Sequence, residues 1–176
     1  LVERVTFFNE DTGFAVLKIK AKGFRDLVTV VGSLPAANAG EWHRARGMEA
    51  EDLNHDGGVS VADPGAENGR AWKAGPHHSA GRYVVWGPYI DLQPGRYRVS
   101  FRVRARHLKP GRGAVLDVTA RRGTEVLGEY RLERSTHGYE WINVEVTTPP
   151  GDDVEFRCWK GGKGTVVLDA VRWQRL

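Results

Sequence analysis

The chain has 176 residues, a formal net charge of +4, and 40% apolar content with 10% aromatics. That length allows one domain or two small ones around a real buried core, and the composition excludes a globally disordered chain. Cys158 is the only cysteine, which excludes an intramolecular disulfide or a multi-cysteine zinc site; no apolar run reaches membrane-spanning length and no signal peptide is visible.

With 22 glycines, eight prolines and no sustained helical periodicity, the chain is predicted to be all-β. Its mild basicity is shared by nucleic-acid binders and by many domains with no such partner. The opening Leu1, where a methionine would otherwise stand, is expected of a fragment or a processed product. These features do not fix a compartment; an extracellular or cell-surface setting is the expectation, with no membrane partner.

Apolar runs at Val5–Phe8, Phe14–Ile19 and Leu27–Val31 are separated by turn-rich stretches at 9–13 and 22–26. Leu17, Ile19 and Ala21 alternate with Lys18, Lys20 and Lys22, so the opening segment is expected to form a small antiparallel sheet with one basic face. Composition shifts near residue 47, and two units are predicted, 1–47 and 48–176. In the second, strands are predicted at 48–51, 82–90, 97–105, 115–121, 125–132, 141–147, 154–159 and 165–173. Within the third, Tyr97, Val99, Phe101 and Val103 face one way, and Arg98, Ser100, Arg102 and Arg104 the other. That period-two pattern marks a half-buried antiparallel strand. Turns at Pro94-Gly95, Pro110-Gly111, Pro149–Gly151 and Gly161-Gly162 separate the strands. Eight strands so punctuated predict a two-sheet jelly-roll β-sandwich. Cys158 shares its strand face with Val154 and Phe156, which makes it an inert core thiol.

The stretch Val2–Gly32 with Gly40-Glu41-Trp42 resembles the amino-terminal OB-like domain of RecD-like helicases. The likeness covers only the opening strands of that barrel, and every helicase motif is absent. From Met48 onward the chain resembles carbohydrate-binding modules of the family 6 and family 35 jelly-roll type. Four stretches carry it: Glu49-Ala50-Glu51, Asn68–Trp72, Gly81–Val103 and Val166–Val171. The resemblance implies a structural calcium ion bound by Glu49, Glu51 and Asp169, a hard cation served by carboxylate oxygens. It also implies a sugar cleft, where an aromatic face stacks on the ring and a few polar groups fix hydroxyls. Tyr139 falls near the cleft aromatic and His77 and His78 on a second wall, with Trp159, Lys160 and Lys163 close to the last turn. Val167 stands where the family's cleft asparagine is expected, two residues before Asp169, so the usual cleft is either vacant or rebuilt.

Asp52–Asp63 fits the spacing of an EF-hand calcium loop, but Pro64-Gly65 follows it and no flanking helices are predicted. Trp72, Trp86, Tyr89 and Trp173 read as core or sheet-packing residues. Arg98, Arg102, Arg104 and Arg106 form an outward basic stripe. No phosphate-cradling loop, nucleophile elbow or paired-histidine zinc motif is present, and Glu140, Asp152 and Asp153 lack a convincing carboxylate partner. The expected function is therefore a non-catalytic, calcium-supported module that binds a glycan or polysaccharide. The alternatives are a nucleic-acid-binding accessory domain using the basic sheet and arginine stripe, or a structural or protein-interaction domain with a vacant cleft.

Overall fold

The computed structural model describes residues 46–78, 81–150 and 153–176, together with the backbone of three strands nearer the amino terminus. The chain divides into two compact units, Leu1–Ala45 and Arg46–Leu176. The first holds β1 (Val2–Asn9), β2 (Phe14–Ile19) and β3 (Leu27–Val31), an antiparallel meander in the order β1-β2-β3. These strands coincide with the three apolar runs. The side chains of Lys18, Lys20 and Lys22 lie outside the described residues.

The second unit is a sandwich of two antiparallel sheets, as the turn punctuation predicted. One has the order β13-β10-β15-β7-β6, with β4 also on β15; the other has the order β12-β11-β14-β8-β5, with β9 also on β14. The strands are β4 (Arg46–Glu49), β5 (Asn54–His55), β6 (Val59–Ala62), β7 (Arg70–Ala74), β8 (Arg82–Trp86) and β9 (Pro88–Ile90). They continue with β10 (Gly95–Arg106), β11 (Ala114–Ala120), β12 (Glu125–Leu132), β13 (Glu140–Thr148), β14 (Val154–Lys160) and β15 (Thr165–Arg175). β4 begins at Arg46, paired with Trp173, and so belongs with the sandwich.

The core lies between the sheets. Tyr97, Val99, Phe101, Val103 and Ala105 of β10 are all buried, opposite Leu116 and Val118 of β11 and Phe156 and Cys158 of β14. Burial pushes the Cys158 thiol up to about 12, so it is inert at neutral pH. Truncating Phe101, which is fully buried, would remove about 3–5 kcal/mol through lost transfer energy and an unfilled cavity.

Two strands change neighbours partway along. β15 pairs with β7 through Val166–Leu168 and with β4 through Ala170–Trp173. Its register on β10 also slips there, between Arg102 and Val103. Asp169 is the residue left over, and this bulge turns its side chain out of the core alternation. On the other sheet, β14 pairs with β8 at Cys158–Lys160 and with β9 at Val154–Glu155. Gly87 makes that break: its φ of 116° is open to glycine and strained for other residues.

The structure alters the reading of 52–63. A short 3-10 turn (Ala50–Asp52), β5 and β6 occupy the segment, so it folds into the sandwich without forming an EF-hand loop. Strands β5, β6 and β7 escape sequence patterning because they are only two, four and five residues long, too short for an alternation to stand out.

Candidate functional site

The residues expected in a sugar cleft fall in separate places. Tyr139 stands on the outer face of the β10–β15 sheet, where its hydroxyl donates to Asp63 Oδ2 at 3.0 Å. The guanidinium carbons of Arg102 and Arg104 lie 4.7 and 4.8 Å from its ring centroid. Burial, then the Asp63 carboxylate, holds its phenol well above the usual tyrosine range. Tyr139 is thus a strut between the 63–69 loop and the sheet, with its ring and hydroxyl already engaged. Val167, buried with Ala66 and Ala71, forms a small apolar patch under the same loop. The same residue borders a cavity of about 370 Å³ lined also by Lys73, Arg104, Arg106, His107 and Thr165.

Lys160 is 1% exposed and donates to the carbonyls of Gly162 and His78 at 2.5 and 3.3 Å. Burial lowers its pKa from the usual lysine value. It pins the 75–78 turn, where the Gly75 amide donates to His78 Nδ1 at 2.9 Å. Burial and two carbonyl contacts take Lys160 away from the surface where its sugar contact was expected, while His78 is half-buried and His77 exposed beside it. Lys163 lies apart from them, lining a cavity of about 270 Å³ with His107, Lys109 and Arg112. Trp159 is half-buried on the outer face of β14, paired with Tyr83 of β8.

The arginine stripe is neutralised. Arg98 pairs with Glu145 at 3.2 Å, Arg104 with Asp63 at 2.5 Å, and Arg102 with Asp169. Three of its four members have carboxylate partners, which weakens it as a phosphate-binding surface.

Glu49, Glu51 and Asp169, expected as calcium ligands, lie within electrostatic reach of one another, because the Asp169 bulge adjoins β4, where Ala170 pairs with Glu49. Asp169 is 0% exposed; the Glu67 amide donates to both its oxygens at 3.2 Å, and Arg102 donates to Oδ2. Burial holds its carboxyl above the usual range despite Arg102. Glu49 is raised too, first by burial and then by the Asp169, Glu51 and Glu67 charges. Among the described residues, no three His, Cys, Asp or Glu side chains already converge on one centre. Glu49 Oε2 and Glu51 Oε2, however, are buried oxygens with no partner. Four carboxylates here face two guanidiniums, Arg102 and Arg172, and a divalent cation would cancel the excess. The two glutamates fit a hard cation; Asp169 is already engaged.

An open groove with aromatic walls was missed in the sequence. It lies on the outer face of β14 and β8, encloses about 350 Å³ and is lined by Asp56, Tyr83, Trp86, Tyr89, Arg122, Glu155 and Arg157. The break at Gly87 positions its aromatics on either side. Trp86 ends β8 half-buried, whereas Tyr89 is 43% exposed with φ 64°, an uncommon conformation for a bulky residue. Sequence reading took both as packing residues; the exposure of Tyr89 corrects this. On the floor, Arg157 donates through Nε and Nη2 to Asp117 at 3.0 and 2.6 Å, and its guanidinium carbon lies 4.8 Å from the Tyr83 ring centroid. The turn at Arg121–Gly123 forms one wall. Gly123 has φ 77°, and a Cβ there would stand 2.7 Å from Arg157 Nη1. The available signal was the outward alternation of Glu155, Arg157 and Trp159 against Phe156 and Cys158. Alternation does not reveal that a turn from elsewhere covers that face.

A family model describing the OB-fold domain of the ATP-dependent DNA helicase YrrC matches residues 1–55. No characterised protein sequence matches. Among solved structures, the chain is similar to the C-terminal CBM6 of LamC, a laminarinase from the marine Zobellia galactanivorans: 18% identity, TM-score 0.54, covering 74% of this chain and 99% of that one. It is similar to a carbohydrate-binding module of Cellvibrio mixtus lichenase 5A in complex with cellotriose, at 18% identity and TM-score 0.53, covering 74% and 97%. A β-1,3-glucan-binding CBM6 from Bacillus halodurans gives 15% identity and TM-score 0.53, covering 73% and 95%. At these identities the likeness is one of fold: residues 46–176 adopt the jelly-roll sandwich of family 6 carbohydrate-binding modules, behind an OB-like amino-terminal segment.

Proposed function

We propose that residues 46–176 form a non-catalytic carbohydrate-binding module whose ligand lies in the groove between Tyr83, Trp86 and Tyr89. The observation that carries this is an aromatic-walled groove of about 350 Å³ with a polar floor held rigid by the Asp117–Arg157 pair. Flat aromatic faces stack on the apolar faces of sugar rings, and a fixed polar floor orients hydroxyls. The solved modules of the same fold include one in complex with cellotriose and one named for β-1,3-glucan binding. Carboxylate hydrolysis of a glycosidic bond needs two acidic groups free to act across it. Here Asp56 is paired with Arg82 at 2.9 Å and Asp117 with Arg157, which leaves Glu155 alone and supports a binding role. A calcium ion at Glu49 and Glu51 would cross-link β4 to the turn that follows it, a structural role.

The test is binding of the full chain to immobilised β-glucans, xylan and chitin-derived glycans. Trp86→Ala and Tyr89→Ala should each weaken retention at least tenfold with unfolding temperature held, whereas Tyr139→Phe should leave it unchanged. Retention unaffected by both groove variants would refute the site.

The family match over residues 1–55 favours a second reading for the amino-terminal unit, contact with single-stranded nucleic acid. It predicts binding of labelled single-stranded DNA that falls steeply with salt and ignores neutral sugars.

A further inference from the structure

The groove has one carboxylate that no hydrogen bond or ion pair holds, its burial offset only in part by the nearby Arg157 charge. Glu155 is 4% exposed and, among the described residues, its carboxylate accepts no hydrogen bond and forms no ion pair, yet it lines the groove. The other charged groups around it are matched. Arg157 is held by Asp117 at 2.6 Å, Arg122 lies 3.2 Å from Asp153, and Arg82 lies 2.9 Å from Asp56. Thr119, the cross-strand neighbour of Glu155, is fully buried and its Oγ1 has no partner either. A buried carboxylate without donors is strongly disfavoured, and each unpartnered group of this kind in a folded protein calls for an explanation. Here it sits below aromatic walls, and the face of Tyr83 already carries one cation, Arg157.

Aromatic faces and a desolvated carboxylate together make the chemistry that holds an organic ammonium: attraction to the ring faces and a charge-assisted hydrogen bond. A neutral hydroxyl satisfies the hydrogen bond but leaves the charge uncancelled. Resting on the carbohydrate reading above, we infer that the groove selects a glycan bearing a free primary amine, a 2-amino-2-deoxy sugar as in a deacetylated chitin chain, with its ammonium donating to Glu155 and its ring on Trp86 and Tyr89. N-acetylation removes the positive charge and adds bulk at the same nitrogen, so the acetylated sugar is disfavoured. Specificity of this kind comes from leaving a buried group unpaired in the wrong complex.

The test is calorimetric titration of the full chain, at a pH where the amine is charged, with oligomers of glucosamine, N-acetylglucosamine and glucose of equal length. Glucosamine oligomers should bind roughly ten- to a hundredfold more tightly than the other two, the range of one charge-assisted hydrogen bond. Glu155→Gln should abolish that preference, bringing glucosamine oligomers down to the affinity of glucose oligomers for the same variant. The contrast within the wild-type protein needs no variant, so a poorly folded Gln variant would not rescue the proposal. Glucose oligomers binding as tightly as glucosamine oligomers, with both lost in Trp86→Ala, would overturn the selectivity and keep the carbohydrate reading. No binding of any oligomer would overturn both.

Discussion

The pair beneath the groove gives the sharpest test of the fold. Asp117→Asn removes the negative charge that faces Arg157 Nε and Nη2 at 3.0 and 2.6 Å, leaving a buried guanidinium without its main counter-ion. Breaking a buried pair on one side destabilises by about 3–5 kcal/mol. The lower end applies here, because Glu155 interacts with Arg157 and takes over part of the compensation. The unit Arg46–Leu176 has about 130 residues, and an unfolding entropy near 2.1 cal/mol/K per residue makes a loss of about 3 kcal/mol a fall of ~11 °C in midpoint. Thermal unfolding followed by tryptophan fluorescence reads it. Replacing both partners, Asp117→Leu with Arg157→Leu, removes the stranded charge and should recover most of the loss. A single-variant shift under about 3 °C, or a double variant no better than the single, would refute the reasoning.

Chelation by EGTA should lower the midpoint if an ion occupies the glutamate site, by about 2.7 kcal/mol when calcium had stood at a hundred times its dissociation constant. Glu49→Gln with Glu51→Gln should remove that response. Glu155 titrates above the usual glutamate range, first through burial and then through Asp117 and Asp153, with Arg157 opposing. In acid the group is protonated both folded and unfolded and exerts no penalty; as pH rises through the interval up to its raised folded value, the unfolded chain loses the proton first and stability falls. Denaturant midpoints across pH 4–8 should therefore fall less steeply on the alkaline side in Glu155→Gln; identical profiles would count against it. Phe101→Ala should lose about 3–5 kcal/mol in the same assay. Tyr139→Phe should lose about 1 kcal/mol, the hydrogen bond to Asp63.

The sequence by itself determined the sandwich, because period-two alternation and turn residues are local properties. The alternation in β10 dictates which side chains meet the core, and Tyr97 to Ala105 are buried as it requires. It also brought Glu49, Glu51 and Asp169 into one reading, though through family likeness, since no local pattern relates residues 120 apart in the chain. Tertiary structure decided the rest. Alternation says that Glu155 and Arg157 leave the core, but not that the Arg121–Gly123 turn roofs them over or that Asp117 meets Arg157. Alternation puts Lys160 on the core side of β14 with Phe156 and Cys158, where a lysine is unexpected; two carbonyls brought by separate turns allow it to be buried. Tyr139 is a free aromatic in sequence and a braced strut in the fold, because Arg102, Arg104 and Asp63 reach it from other strands and loops. The candidate site is set by a strand break at Gly87 and a roofing turn at Gly123. Both glycines are visible in the sequence, but what each brings into contact is a long-range property that only the folded chain fixes.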